Sequence, residues 1–257
     1  MQVSNIVFVF CSLILMQLRS QCIVKGTVDL IREDHLQNWY CYTQNKLIKG
    51  GAQMPRQQFF STLKYGALTQ MDIQNPMSTV LYFKAYQTVL FLDNLLVQKA
   101  EALRLDELGY PQVEMVCSSQ LQGIWIYNQA NAELLKLNKF GNCMVKTGNL
   151  AQYHRHYFEP LVMSEYNSFL YVLFKNLGIW VFDQFGALKQ QISFPNVDYI
   201  TIGAQDIIST TDTYQFRYVF TTAVLDSVSL PQKAQHLYIG PQHIFNIFKD
   251  SVCTYKR

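Results

Sequence analysis

Short blocks of branched and aromatic residues, separated by polar turns, run along this chain from about residue 23 to its end. The clearest unit is Phe169 to Phe194. Phe169 to Phe174 predicts one strand, Lys175 to Gly178 a turn, and Ile179 to Phe182 a second strand. Asp183 to Gly186 turns the chain again, and Ala187 to Phe194 leaves as a third strand. Such a unit is one antiparallel sheet.

The unit recurs. Ile179-Trp-Val-Phe-Asp183 is matched by Gly123-Ile-Trp-Ile-Tyr-Asn128, including the glycine before the strand and the polar residue after it. Trp39-Tyr-Cys-Tyr-Thr43 and Val89-Leu-Phe-Leu-Asp93 are two more copies, and Arg217-Tyr-Val-Phe-Thr221 and Ile244-Phe-Asn-Ile-Phe248 are weaker ones. The copies end near residues 43, 93, 128, 183, 221 and 249, so the intervals are 50, 35, 55, 38 and 28, with a mean near 41. That is the period of a β-propeller blade. The fold class expected is all-β, a propeller of six blades built from short antiparallel strands. A small sheet with two apolar faces must stack on neighbours to bury both. The uneven intervals imply insertions, and the last copy has too little chain after it for a full blade. Ile23 to Leu30 is expected to complete that blade and close the ring, removing an exposed edge. An irregular β-sandwich is the alternative.

Composition agrees with a folded chain: 257 residues, 49% hydrophobic and 14% aromatic, with 15% charged. No linker interrupts the repeats. Met1 to Gln21, with the apolar run Ile6 to Met16, reads as a signal peptide, leaving residues 22–257 as a single propeller domain. An uncleaved anchor is the other reading of that run. The net charge of +3 is spread out, which implies no nucleic-acid partner. Cys22 would allow a lipid tether to a membrane, although Arg19 and Gln21 stand where small residues are expected. Cys22, Cys41, Cys117, Cys143 and Cys253 remain after the signal, an odd number, so one is unpaired or intermolecular. Cys41 and Cys253 fall in the first and last blades, where closure suggests a disulfide between them. Cys117 reads as a small core residue.

Phe59 to Pro76 contains Lys64-Tyr-Gly-Ala-Leu-Thr69 and the turn Asn75-Pro76; it is followed by the strand Val89 to Asn94 and the turn Leu108-Gly-Tyr110. Across Phe59 to Asp183 these motifs resemble a group of exported, β-propeller-like envelope proteins of Bacteroidota. The resemblance implies a Gram-negative, exported propeller of the cell envelope, and supplies no catalytic residues to carry over.

Candidate chemistry is sparse. Tyr153-His-Arg-His-Tyr157 would put His154 and His156 on one face of a strand, with Glu159 nearby as a third metal ligand. A surface loop with local aromatic packing is the competing reading. Glu33-Asp34 and Asp106-Glu107 read as solvated turns, because adjacent strand residues point to opposite faces. His35, His236 and His243 read as structural or surface histidines. No phosphate loop, GxSxG or HExxH sequence is present. Trp125 and Trp180 are expected to pack between blades, with glycan stacking as the functional alternative.

The sequence therefore points to a non-enzymatic, protein-binding scaffold in the periplasm or at the periplasmic face of the outer membrane, without catalytic residues or cofactor, held against another envelope protein. The loops Leu63 to Asn75 and Lys139 to Pro160 are the expected contact regions. A metal-dependent propeller hydrolase or lyase using His154, His156 and Glu159 is the first alternative, and a carbohydrate-binding propeller the second.

Overall fold

The computed structural model describes residues 21–120, 123–154, 158–211, 213–229 and 237–256. Within them, strand β1 (Gln21–Lys25) lies apart from its sequence neighbours, and the next twenty strands form five consecutive four-stranded sheets. Blade 1 is β2 (Leu30–Glu33), β3 (Asn38–Thr43), β4 (Lys46–Gly51) and β5 (Gln58–Ser61). Blade 2 is β6 (Gln70–Asp72), β7 (Thr79–Phe83), β8 (Thr88–Leu92) and β9 (Leu103–Arg104). Blade 3 is β10 (Val113–Ser119), β11 (Gly123–Asn128), β12 (Glu133–Leu137) and β13 (Cys143–Lys146). Blade 4 is β14 (Pro160–Tyr166), β15 (Phe169–Phe174), β16 (Gly178–Asp183) and β17 (Leu188–Ile192). Blade 5 is β18 (Thr201–Ile202), β19 (Asp206–Thr210), β20 (Tyr214–Val219) and β21 (Val224–Ser229).

Blade 6 is completed from the other end of the chain. Its order is β22 (Leu237–Ile239), β23 (His243–Ile247), β24 (Ser251–Lys256) and then β1. The N-terminal strand thus closes the ring as expected, but it ends at Lys25, and Leu30 already belongs to blade 1. Cys22 stands directly opposite Cys253 in the β1–β24 pairing, and the two form a disulfide. This corrects the expected Cys41–Cys253 bond: Cys41 lies in β3, fully buried, as a free thiol. Cys117 is also buried and free, and Cys143 is exposed.

The structure corrects the assignment of the repeats too. The six sequence copies mix second strands (β3, β11, β23) with third strands (β8, β16, β20). Second strands alone end at Thr43, Phe83, Asn128, Phe174, Thr210 and Ile247, so the true intervals are 40, 45, 46, 36 and 37. The large insertions vanish. The confusion has a physical cause: second and third strands are both interior to the blade, so both read as continuous apolar runs. Even their glycines answer one demand. A Cβ on Gly123 would lie 2.0 Å from Leu137 O, and one on Gly178 would lie 2.3 Å from Ile192 O, the carbonyl of the adjoining strand in each case.

The core lies between blades. Trp125 and Tyr127 of blade 3 pack with Phe174, Trp180 and Phe182 of blade 4 and with Phe158 from the connection between them. Phe158 is the hub, with its ring 5.3 Å from that of Trp180 and 5.2 Å from that of Phe174, both edge-on. Corresponding clusters fill the spaces between blades 1 and 2, 2 and 3, 4 and 5, and 6 and 1. Tyr199 and Tyr238 join blades 5 and 6, with ring centroids 5.4 Å apart. Trp125 and Trp180 are therefore packing residues, as expected, and neither offers a glycan-stacking surface. Among the described residues no helix is long and apolar enough to cross a membrane.

Candidate functional site

The innermost strands β2, β6, β10, β14, β18 and β22 surround a central channel of about 710 Å³. Each presents a free strand edge to it, and free backbone N–H groups need acceptors. For β10, side chains of blade 2 supply them. Val116 N–H donates to Gln70 Oε1 and Ser118 N–H to Asp72 Oδ2, both at 2.8 Å. Gln120 N–H donates to Glu165 Oε2 at 3.1 Å, here from the blade that follows. At the ring closure, Gln242 N–H and His243 N–H donate to Glu33 Oε2 at 2.9 Å, and the His243 ring bonds Glu33 Oε1 through Nδ1.

Glu33 and Glu165 are buried and Asp72 is half-buried, and their electrostatics follow. Glu165 pairs with Lys136 at 3.2 Å, both nearly inaccessible, and Lys136 Nζ also lies 5.2 Å from the Trp125 ring centroid. Burial pushes the Asp72 carboxyl above its usual range; the N–H donors of Gln74 and Ser118 oppose this, and the Glu165 charge adds to it. Burial likewise raises the Cys117 thiol, with Asp72 and Glu165 adding, so this cysteine is held as an un-ionised thiol. Across the channel, the Arg32 guanidinium lies over Tyr199, its Cζ 4.0 Å from the ring centroid.

The sequence-predicted residues fare unevenly. Glu33-Asp34 is not a solvated turn: both are buried, Glu33 sealing blade 6 and Asp34 accepting from Leu36 N–H, Asn38 N–H, Asn38 Nδ2 and Tyr40 Oη. Asp106 and Glu107 do form a surface turn, paired with Arg104. His154 sits edge-on to Phe158, and Glu159 pairs with Lys175 at 3.1 Å on the surface. His156 and His236 lie outside the described residues. Among the described residues no group of three His, Cys, Asp or Glu side chains is placed to hold a metal. The sulfur that a lipid tether at Cys22 would use is bonded to Cys253.

A second feature escaped the sequence reading. Because each blade is antiparallel, its first-to-second and third-to-fourth turns emerge on one face of the ring. Five of these turns share one construction. Asp34, Asn75, Asp93, Asn138 and Asp183 each accept, on the side-chain Oδ1, the N–H of the residue two positions on. Those second residues are Leu36, Met77, Leu95, Phe140 and Phe185, and they are 53 to 73% exposed. In four of the turns the next residue has a left-handed φ, at Gln37, Leu96, Gly141 and Gly186, which throws the apolar side chain outward. The signal was present in the spacing: Asp93, Asn138 and Asp183 are 45 residues apart, each followed two positions later by Leu or Phe. Leu63 to Asn75 and Lys139 to Pro160 each run from one face to the other, and each reaches this face, at Asn75 and at Phe140.

No protein-family model and no curated protein matches the sequence. Solved structures do match in fold. A streptogramin B lyase is 11% identical with a TM-score of 0.59, over 92% of this chain and 96% of that one. The virginiamycin B lyase of Staphylococcus aureus is 12% identical with a TM-score of 0.60, over 90% and 80%. PorZ, an essential bacterial surface component of the type-IX secretion system of Porphyromonas gingivalis, is 10% identical with a TM-score of 0.53, over 88% of this chain and 31% of its own. At such identities the likeness is one of fold, and with the strand order it makes this chain an all-β, six-bladed β-propeller.

Proposed function

We propose that this protein is a non-enzymatic binding scaffold of the cell envelope, exported to the periplasm or the periplasmic face of the outer membrane, that holds another envelope protein against one face of its ring. The observation that carries the reading is the set of five apolar side chains raised on that face by one repeated turn. A side chain held out in water by a dedicated hydrogen-bonded turn costs solvation that a partner would recover, and Phe and Met, three of the five, are enriched at protein interfaces. The carboxylates of Asp72, Glu165 and Glu33 in the channel, by contrast, are engaged in holding strand edges and turns. Export is supported by the apolar N-terminal run and by a disulfide, a bond that persists in oxidising compartments. The resemblance of Phe59 to Asp183 to Bacteroidota envelope propellers, and the like fold of PorZ at a bacterial surface, agree with that location.

The test is affinity purification of the tagged protein from envelope fractions, with and without Leu95→Ser, Phe140→Ser and Phe185→Ser together. One envelope protein recovered in fixed proportion with the native chain, and lost with the triple variant at unchanged melting temperature, is the expected result. Equal recovery with both chains, or no partner with either, would remove the reading.

A further inference from the structure

The face that carries Leu36, Met77, Leu95, Phe140 and Phe185 differs from the opposite one in charge as well as in apolar tips. Its turns are residues 34–37, 52–57, 73–78, 93–97, 138–142, 167–168, 183–187, 203–205, 220–223 and 240–242, and none of their exposed residues is acidic. Asp34 is buried, and Asp93 and Asp183 are half-buried, because each turns its carboxylate inward to cap the turn it opens. The exposed charges in these turns are Arg56 and Lys139, and among the described residues neither pairs with a carboxylate. Lys139 holds its ammonium 5.0 Å from the Phe140 ring centroid, so cation and apolar tip project together. Exposed Asp29, Glu107, Asp198 and Asp250 all lie on the opposite face, mixed with Lys25, Lys64 and Lys249, while Glu101 and Asp226 lie on the outer wall. The chain also enters the domain from the apolar side: β1 runs antiparallel to β24, from Gln21 there to Gly26 beside Asp250 at the far face. Only Gln17 to Ser20 separate that entry from the apolar run Ile6 to Met16, so a chain held in a membrane by that run has this face nearest the bilayer.

We propose that this face rests on an anionic lipid surface, its apolar tips entering the interface and Arg56 and Lys139 meeting the headgroups. The inference rests on the reading of this face as the docking face, and adds that the protein held there is one that lies in or on a membrane. Apolar side chains raised on a turn sink into the boundary between headgroups and acyl chains, and cations beside them are drawn to anionic headgroups. Exposed carboxylates would be repelled there, and this face alone has none in its turns. Val97, 59% exposed in the same turn as Leu95, adds to the apolar surface. A second copy of the chain fits less well, because two such faces would set cation against cation with no exposed acid between them.

Vesicle flotation tests this with the purified chain from Cys22, which holds all six blades and lacks the apolar run. The vesicles are phosphatidylcholine alone and phosphatidylcholine mixed with phosphatidylglycerol. The protein should float with the mixed vesicles and less with the neutral ones, and the difference should fade as salt is raised. Arg56→Gln and Lys139→Gln should each weaken binding to the mixed vesicles about fivefold. Leu95→Ser, Phe140→Ser and Phe185→Ser together should abolish it. Absence of flotation, equal flotation with both kinds of vesicle, or equal flotation of the native chain and the triple variant overturns the proposal. The comparison of vesicles uses the native side chains, so it decides even if a variant fails to fold. A partner recovered from envelope fractions without vesicle binding removes the lipid contact alone, and vesicle binding with no partner recovered removes the protein scaffold alone.

Discussion

Opening the Cys22–Cys253 bond is the perturbation with the most direct reading. The bond joins residues 231 apart, so it closes nearly the whole described chain into one loop. In the chain-entropy account, a loop of that length removes about 5 kcal/mol of unfolded-state freedom, of which about 2 to 4 is commonly realised. The ring itself need not open without the bond. Val24 still pairs with buried Val252, Lys25 with Ser251, and Gly26 N–H with Asp250 O at 2.6 Å. The double variant Cys22→Ser, Cys253→Ser should therefore fold but unfold at lower denaturant. With a urea slope of about 3 kcal/mol per molar for a chain of this size, the midpoint should fall by about 1 M. Urea titrations followed by far-UV circular dichroism, with the native protein measured oxidised and reduced, give the shift. Reduction of the native protein should reproduce the variant. Coincident curves for all three samples would refute both the bond and the argument that it stabilises the closed ring.

Other expectations follow from packing and burial. Gly178→Ala should cost about 2 kcal/mol or more, because its Cβ would meet Ile192 O at 2.3 Å and its φ is +75°; the drop in melting temperature checks this. Lys136→Met alone should destabilise by about 3 to 5 kcal/mol by stranding the buried Glu165 carboxylate, while Lys136→Met with Glu165→Gln recovers much of the loss, as a double-mutant cycle would show. Burial pushes the Cys41 thiol up to about 12 and raises Cys117 as well, so at pH 8 the folded protein lacking residues 1–21 should take up one equivalent of iodoacetamide, at exposed Cys143; mass spectrometry reads the number.

How much was legible along the chain depended on how locally each feature is encoded. The unit Phe169 to Phe194 matches β15, β16 and β17 nearly residue for residue, because strand and turn chemistry act over a few neighbours. Which strand of a blade a given run forms was not legible. Gly123-Ile-Trp and Gly178-Ile-Trp occupy a second and a third strand, yet each meets a carbonyl at its glycine and an interblade core at its tryptophan. Environments that are the same select residues that are the same. The turn tips Leu95, Phe140 and Phe185 were recoverable from a spacing of 45 residues, but only the antiparallel order of each blade puts them on one face with Leu36 and Met77.

Periodicity, apolar content and turn residues thus determined by themselves that this protein is a ring of small sheets closed by its own N-terminus, since each blade is a local unit that must stack to bury its faces. Pairings across the closure were decided only by the tertiary structure. Cys253 faces Cys22 rather than Cys41, and Glu33 lies against His243, because register across β1 and β24, and across blades 6 and 1, is set by residues more than 200 positions apart. The channel was decided in the same way. Arg32, Asp72 and Glu165 come from three blades and share no sequence neighbourhood, so they line one channel only once six sheets stand in a circle.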